Sequence, residues 1–266
     1  AAVTHIGGPL LVVAGAGSGK TRVLTRRIAY LMAERDIQPF EILAITFTNK
    51  AAGEMKERVS QLVGNRAKIM WVSTFHSACV RILRQEAVRL GFSPTFSIYD
   101  QADSLRLVTL VMRDLNLDPK RYNPRGVASV ISNAKNELLG PADYRNATQN
   151  SFEEVVSEVY AIYQQRLTAA NAMDFDDLIL KTVEVIQKFP EAKARLRSRF
   201  KHVLVDEYQD TNHAQYILIR ELVGTDRDGI PAAELCVVGD ADQSIYGFRG
   251  ATIRNIMQFE EDYPDA

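Results

Sequence analysis

A glycine-rich segment near the start of the sequence has the residue types and spacing of a phosphate-binding loop. It spans residues 14–21, reads Ala-Gly-Ala-Gly-Ser-Gly-Lys-Thr, and lies between an apolar run and a helical pattern. Glycines let successive backbone N–H groups turn towards phosphate oxygens, and the amino terminus of a helix adds positive potential. The segment follows the Walker A pattern except at Ala14, where that pattern begins with glycine. The candidate triphosphate-binding residues are Ala14, Gly15, Ala16, Gly17, Ser18, Gly19, Lys20, Thr21 and Arg22.

Two acidic residues supply the other half of such a site. Asp206 and Glu207 directly follow the apolar run at residues 203–205, which is typical of a strand. Lys20 would reach the β- and γ-phosphates, and Thr21 and Asp206 would hold Mg²⁺. Glu207 would act as the general base that polarises the attacking water. Two carboxylates at a strand end can also cap the next helix, but together with the loop they predict a Mg²⁺-dependent nucleoside triphosphatase.

Strands and helices alternate in the segments that must position these residues. Apolar runs at residues 10–14, 42–47, 69–74, 203–206 and 235–239 predict strands, and helical periodicity follows the first three. The helix after the third run is expected to stop at Gly91. This alternation predicts an α/β fold, with a parallel sheet flanked by helices on both faces.

The alternation breaks in the middle of the chain. Residues 99–172 have a helical pattern, proline-containing loops and no convincing strand. We therefore predict an all-helical domain at residues 99–172, inserted into a sheet domain that comprises residues 1–98 and 173–266. Arg22, directly after the glycine-rich loop, fits a nucleotide contact and an exposed helix face equally well.

Composition and charge exclude several classes of protein. The 266 residues are 46% hydrophobic and 24% charged, which is ordinary for a globular chain and excludes disorder, collagen and coiled coil. The apolar runs are too short for a membrane helix, which needs about 18–20 residues. Cys79 and Cys236 lie in separate apolar stretches, so we expect reduced thiols, a cytoplasmic location and no membrane partner. Residues 50–89 are basic and residues 201–266 are acidic.

Two longer motifs are far more specific than the loop and the acidic pair. Residues 206–212 read Asp-Glu-Tyr-Gln-Asp-Thr-Asn, and residues 239–251 read Gly-Asp-Ala-Asp-Gln-Ser-Ile-Tyr-Gly-Phe-Arg-Gly-Ala. Together with residues 45–52, 73–77 and 174–178, they resemble the motifs of the UvrD/Rep/PcrA family of superfamily 1 DNA helicases. The resemblance covers essentially the whole chain and keeps the order of the motifs.

This resemblance implies a fold, an activity and cofactors. It implies a RecA-like P-loop domain, called 1A, with a helical domain, called 1B, inserted in it. It also implies 3′-to-5′ movement along single-stranded DNA, with ATP and Mg²⁺ as cofactors and with Lys20 and Glu207 as catalytic residues. Gln243 becomes a third catalytic candidate that contacts the γ-phosphate. It follows a strand that in RecA-like sheets lies between the loop strand and the strand before Asp206.

The resemblance further implies a track for single-stranded DNA. Phe47, Tyr246 and Phe248 would stack on bases, with Arg249 beside them, and such stacking is worth about 1–3 kcal/mol per base. Core packing is the alternative for each aromatic residue and is preferred for Phe75. The expected phosphate and sugar contacts come from Thr46, Asn49, Lys50, Thr74 and His76. A solitary histidine such as His76 can equally be a hydrogen-bonded structural residue.

A second basic stretch lies in the predicted inserted domain. Its members are Lys120, Arg121, Arg125 and Lys135. They fit a contact with duplex DNA ahead of the motor and a solvated helix face equally well. The residue chemistry of the track suits DNA and RNA alike, and only the resemblance favours DNA.

The resemblance also indicates what else a working motor needs. In the family an adenine-reading motif precedes the segment that matches residues 1–3, and a second RecA-like domain follows. That domain supplies arginine fingers, each worth about 10³–10⁵ in rate. We therefore expect weak or no activity from this chain without the C-terminal helicase domains. The expected partners are single-stranded DNA, junctions of single- and double-stranded DNA, and repair proteins.

Two other functions stay open from the sequence. The chain could be a non-motor module that binds DNA or a partner protein. It could also be the helicase part of a RecB/AddA-type helicase–nuclease, although the compact insertion favours the smaller repair helicases.

Overall fold

The computed structural model describes residues 1–15, 17, 19–225, 229–240, 259 and 261–266. The strands in these ranges are β1 (Leu10–Val13), β2 (Ile42–Thr46), β3 (Trp71–Thr74), β4 (Ser97–Tyr99), β5 (Ala172–Asp174), β6 (His202–Val205) and β7 (Glu234–Gly239). The α-helices are α1 (Lys20–Glu34), α2 (Asn49–Val63), α3 (Phe75–Glu86), α4 (Gln101–Asp114), α5 (Pro124–Asn136), α6 (Pro141–Ala147), α7 (Ser151–Ala169), α8 (Phe175–Lys188), α9 (Pro190–Arg199) and α10 (His213–Val223).

Five of the described strands form a parallel sheet in the order β1–β7–β6–β2–β3. These are the five strands that the sequence predicts, each within about two residues of its expected bounds. β7 lies between β1 and β6, as the sequence interpretation of Gln243 requires. The predicted parallel α/β sheet is therefore confirmed.

Both faces of the central strands are buried, because parallel strands connected by helices are covered on each side. All five residues of β2 and all four of β6 are buried. Alternate side chains point to opposite faces, so Ala44, Leu204 and Cys236 share one face, where they form a core with α1 and α2. Helix α1 contributes Leu24, Ile28 and Leu31 to this core, at spacings of four and three residues. α10 also packs against β6.

The chain separates into two compact units. One comprises residues 1–78 and 186–266, and the other comprises residues 79–185. The predicted insertion at residues 99–172 falls inside the second unit. This unit covers more residues than the predicted insertion, because it also contains most of α3 and α8 and both short strands. The assignment of these segments to domains 1A and 1B stays a prediction.

The second unit contains a small parallel sheet that the sequence interpretation missed. β4 pairs with β5 in register, with Ser97 opposite Ala172 and Tyr99 opposite Asp174. The expectation of no strand between the sheet segments was therefore wrong at both ends of the inserted region. Strands of three residues are too short to establish an alternating pattern, which explains the error.

Lys135 corrects the interpretation of the second basic stretch. Its side chain is fully buried, and its Nζ lies 2.7 Å from Asp174 Oδ2 and 2.9 Å from Asp177 Oδ1. Tyr163 also donates a hydrogen bond to Asp174 Oδ2, at 2.7 Å. Burial favours the neutral amine, but the charges of Asp177 and Asp174 outweigh this effect and raise the pKa of Lys135. Lys135 is thus an internal cation and lies neither on DNA nor on a solvated face.

The other members of that stretch behave differently. Lys120, Arg121 and Arg125 are exposed, around the loop between α4 and α5. The guanidinium of Arg121 lies 5.3 Å from the ring centroid of Tyr122, which stacks on Phe152 with the centroids 6.1 Å apart. For these three cations both alternatives from the sequence, a contact with duplex DNA and a solvated helix face, stay open.

Local residue chemistry explains where several of these elements begin and end. Gly91 has a φ of 81° and donates its N–H to the carbonyls of residues 87 and 88, so the helical segment from α3 stops there as predicted. The side chain of Asp100 accepts a hydrogen bond from the N–H of Asp103, and the N–H of Asp100 donates to Asp103 Oδ2 in return, which starts α4 with a capping box. No helix in the described ranges combines the length and apolarity needed to span a membrane.

Gly224 ends α10 in a conformation that side-chain-bearing residues rarely adopt. Its φ is 68° and its ψ is −166°, a region occupied essentially by glycine alone. The guanidinium of Arg197 occupies the space where a Cβ would be and donates hydrogen bonds to the carbonyls of Thr225, at 2.9 Å, and Ile230, at 2.8 Å. This buried arginine thus fixes the approach to β7, the strand that enters the middle of the sheet.

Candidate nucleotide-binding site

The candidate site is built at the carboxyl ends of β1, β6 and β7, which meet at one edge of the sheet. The loop to α1 leaves β1, Asp206 and Glu207 follow β6, and Asp240 follows β7. The N–H of Ala14 donates to the carbonyl of Gly239 at 3.1 Å, which ties the start of the loop to the end of β7. Ligands of open α/β sheets bind outside the carboxyl ends of the strands.

The glycine-rich loop leads directly into the amino terminus of α1. Gly19 precedes the helix with a φ of 88°, and no side chain caps the first turn. The first turn of α1 also lacks acidic residues, so its free N–H groups and dipole favour an anion. Arg22 Nε would lie 3.6 Å from a Cβ placed on Gly19. Its guanidinium therefore lies beside the loop, as a nucleotide contact requires, and its role stays a prediction.

Thr21 and Asp206 form the candidate Mg²⁺-binding pair. The hydroxyl of Thr21 donates to Asp206 Oδ2 at 2.9 Å, although the residues are far apart in the sequence. Burial raises the pKa of Asp206, and the hydrogen bond from Thr21 partly opposes this effect. Hydroxyl and carboxylate oxygens are ligands that Mg²⁺ prefers, and it commonly takes one or two carboxylates together with substrate phosphates. The donor set therefore fits Mg²⁺, and the described residues contain no larger cluster of metal-binding side chains.

Lys20 makes an ion pair that the sequence interpretation did not foresee. Its Nζ lies 2.8 Å from Asp240 Oδ2, and the two side chains are only 8% and 0% exposed. The sequence did contain a signal, because Asp240 follows a strand in one of the quoted motifs, just as Asp206 does. Asp240 thus holds the ammonium group of Lys20 beside the glycine-rich loop. There this group is predicted to bind the phosphates of a triphosphate.

Glu207 has an unusual backbone conformation. Its φ is 49° and its ψ is 45°, in the left-handed region that residues other than glycine seldom occupy. Such strain persists only where the surroundings enforce it, and it is concentrated at functional sites. The sequence alternative, in which the acidic pair caps the next helix, is wrong for α10, because Asn212 and Gln215 form the capping box of that helix.

Gln209 is a second residue that the sequence interpretation left without a role. Its Nε2 donates to Glu207 Oε2 at 2.8 Å, and its Oε1 accepts from the N–H of Asp240 at 2.9 Å. Its side chain is only 1% exposed. Gln209 therefore connects the candidate general base with the end of β7.

The candidate DNA-contacting residues fall into two groups. Thr46 and Thr74 are buried, and their hydroxyls donate internally, to the carbonyl of Thr48 at 3.2 Å and to Ser77 Oγ at 3.0 Å respectively. Asn49 and Lys50 are exposed in the first turn of α2. Of these four residues, Asn49 and Lys50 are accessible to a ligand, and their contacts with DNA stay predictions.

The aromatic side chains at this edge also differ from one another. Phe75 is buried, which confirms its predicted place in the core. Phe47 follows β2, is half-buried, and meets Phe75 edge to face with the ring centroids 5.4 Å apart. Burial lowers the pKa of His76, which favours its neutral form, and its contact with DNA stays a prediction.

Several predicted site residues lie outside the described residues. In the loop these are Ala16 and Ser18, and in the long motif after β7 they are Gln243, Tyr246, Phe248 and Arg249.

Comparison with known proteins agrees with the geometry. The family described as the UvrD/REP helicase N-terminal domain matches residues 1–264. The chain is 65% identical to a Mycobacterium tuberculosis protein and 58% identical to a Mycobacterium leprae protein, both named ATP-dependent DNA helicase UvrD1. It is 52% identical to the ATP-dependent DNA helicase PcrA of Bacillus subtilis. These matches cover 99–100% of this chain but 35% of each relative, so the chain spans about a third of their length.

Proposed function

The chain belongs to the UvrD/REP helicase family, and we propose that it is the ATP-binding half of a motor that moves 3′ to 5′ along single-stranded DNA. The observation that carries the proposal is the 2.9 Å contact between Thr21 and Asp206. This contact joins the glycine-rich loop to the acidic pair, which is far away in the sequence, and so supports the proposal that the two form a single triphosphate site.

In this proposal each residue of the site has a defined task. The loop N–H groups and the start of α1 bind the phosphates, and Lys20 exchanges Asp240 for phosphate oxygens when ATP enters. Thr21 and Asp206 would hold Mg²⁺, which neutralises phosphate charge when bound. Glu207 orients the attacking water and accepts its proton. Gln243 and Arg22 are proposed as further phosphate contacts on the basis of the sequence.

The DNA track is proposed to lie along the same edge of the sheet. Phe47 supports this proposal, because it follows β2 at the carboxyl edge and its ring is partly accessible. The accessible Asn49 and Lys50 come next in the chain and suit phosphate contacts. If the bases of single-stranded DNA lie beside the ATP site in this way, conformational changes during ATP turnover can move the DNA.

The complete motor is proposed to need the rest of a longer polypeptide. The relatives are named ATP-dependent DNA helicases and are about three times as long as this chain. We propose that the remaining part supplies the second RecA-like domain, and that the 266-residue chain alone hydrolyses ATP slowly. The high identity to these relatives favours a helicase over the non-motor module and the RecB/AddA-type subunit.

The direction of movement can be tested with the intact polypeptide that contains this chain. We expect ATP-dependent displacement of streptavidin from the 5′ end of a biotinylated single strand, and much slower displacement from the 3′ end. Hydrolysis of ATP should be stimulated by single-stranded DNA. Faster displacement from the 3′ end would contradict the proposed direction, and absence of ATP hydrolysis would contradict the motor itself.

Replacing Phe47 by Ala in the intact polypeptide should weaken binding of single-stranded DNA. Because the ring is half-buried against Phe75, we expect the low end of a stacking contribution, about 1 kcal/mol or roughly fivefold in Kd. The Kd for a fluorescent ATP analogue should change less than about twofold, since the change removes no phosphate contact. Fluorescence anisotropy of a labelled oligonucleotide measures the first effect.

A matched control for this variant lies before the same strand. Phe40 is 45% exposed, in the short 3₁₀ helix Pro39–Glu41 that precedes β2. Phe40→Ala therefore removes an exposed ring from the amino end of the strand, away from the proposed track. Equal DNA affinity of the two variants would argue against stacking by Phe47.

A further inference from the structure

Gln209 is placed to control the direction of the Glu207 side chain. It is buried beneath the site, and both ends of its amide are used. The NH₂ group donates to the carboxylate of Glu207 at 2.8 Å, and the carbonyl oxygen accepts the N–H of Asp240 at 2.9 Å. An amide held at both ends has one orientation, so it can fix the group to which it donates.

The surroundings of Gln209 leave little room for another arrangement. Gly239 provides the space for its carbonyl oxygen, because a Cβ at Gly239 would lie 3.0 Å from Gln209 Oε1. Glu207 starts from a left-handed backbone conformation, so its side chain leaves the chain in a direction set by the turn. The bond from Gln209 then determines where the carboxylate oxygens lie.

We propose that Gln209 is a positioning residue that holds the carboxylate of Glu207 in its catalytic orientation and anchors it to the peptide between Gly239 and Asp240. This inference rests on the proposed function, in which Glu207 is the general base. The same Asp240 binds Lys20 through its carboxylate.

The test replaces Gln209 by Met in the intact polypeptide, with saturating single-stranded DNA. Met has a similar volume and removes both hydrogen bonds. We expect kcat for ATP hydrolysis to fall about tenfold to a hundredfold, since a small displacement of a catalytic group costs this much. The KM and the Kd for ATP should stay within about twofold, because the phosphate contacts are unchanged. A rise in KM with an unchanged kcat would overturn the inference.

Gln215 offers a matched control. It is a buried glutamine in the same unit, and its Oε1 accepts the N–H of Asn212 in the capping box of α10. Gln215→Met should lower the melting temperature without lowering kcat by more than about twofold, because removal of a cap affects stability. An equal loss of kcat in the two Met variants would reduce Gln209 to a structural residue.

A double-mutant cycle distinguishes positioning from general damage. If Gln209 acts through Glu207, adding Gln209→Met to Glu207→Gln should lower kcat no further, because effects within one functional unit are not additive. A further tenfold loss in the double variant would overturn the inference. Should Gln209→Met fail to fold, Gln209→Asn serves instead, since it keeps the amide but is one methylene too short to reach both Glu207 and the N–H of Asp240. The same loss of kcat is then expected, and a normal kcat would overturn the inference.

The proposed role of Glu207 and the proposed role of Gln209 are contradicted by different results. Full activity of Glu207→Gln would remove Glu207 from its proposed role and the inference with it. An inactive Glu207→Gln beside a fully active Gln209→Met would overturn the inference alone.

Discussion

Replacing Glu207 by Gln in the intact polypeptide should lower kcat for ATP hydrolysis by about 10²–10⁴-fold, the usual contribution of a general base. The change keeps the shape of the side chain but removes the carboxylate oxygen that is proposed to accept a proton from water. Binding of ATP should persist, because Lys20, Thr21 and the loop are untouched. Steady-state hydrolysis and titration with a fluorescent ATP analogue measure the two effects separately.

Glu221→Gln provides the control for this change. Glu221 lies on α10 in the same unit and binds the side chains of Gln187 and Lys193. Its replacement makes the same change in charge away from the site and should leave kcat within about twofold, as is usual outside the catalytic unit. Normal hydrolysis by Glu207→Gln would show that another group activates the water.

Replacing Lys135 by Met should destabilise the second unit by about 3–5 kcal/mol, because two carboxylates would be left without their buried cation. Asp174 and Asp177 both face the ammonium group within 2.9 Å, and burial already raises the pKa of Asp177. Chemical denaturation, followed by circular dichroism, measures the loss in free energy of unfolding. Adding Asp174→Asn and Asp177→Asn should restore part of it, since the buried negative charge is then removed.

The exposed pair between Arg166 and Asp114 is the matched control. Its nitrogen–oxygen distance is also 2.7 Å, but both side chains are well exposed. Arg166→Ala should leave the denaturation midpoint nearly unchanged, because solvent screens such pairs. Equal stability of the Lys135 and Arg166 variants would mean that burial adds nothing to the lysine cluster.

Much of the sheet and the centre of the site could be predicted because their signals are local. Five apolar runs predicted five strands, and the position of Asp206 at a strand end predicted its approach to Thr21. Both results depend only on side-chain periodicity and on the rule that parallel strands end at a common edge. The position of β7 between β1 and β6 came from the family resemblance, since no local pattern supplies it, and the places of β2 and β3 were not predicted.

The contacts of Asp240 and Gln209 could not be predicted in the same way. They depend on which strands are neighbours and on their register, which brings Gly239 beside the turn after β6. A sequence motif identifies residues that are important, but it does not show which of their side chains are in contact.

Lys135 shows a different limit. A lysine in a basic stretch has the same appearance in the sequence whether it is exposed or buried. A signal existed in its spacing, because Lys135 lies four residues after Ile131 on α5, on the face that also buries Val127. Only the burial of Asp174 and Asp177 explains why a cation occupies that face.

The pairing of Leu10 with Cys236 limits when the candidate nucleotide-binding site can form during synthesis. In the described sheet, β1 has β7 as its neighbour, so β1 cannot form this pairing until more than two hundred further residues have been synthesised. Until then its backbone groups are an open edge that invites mispairing. The candidate site, which is built from the ends of β1, β6 and β7, can therefore assemble only after β7 has been synthesised.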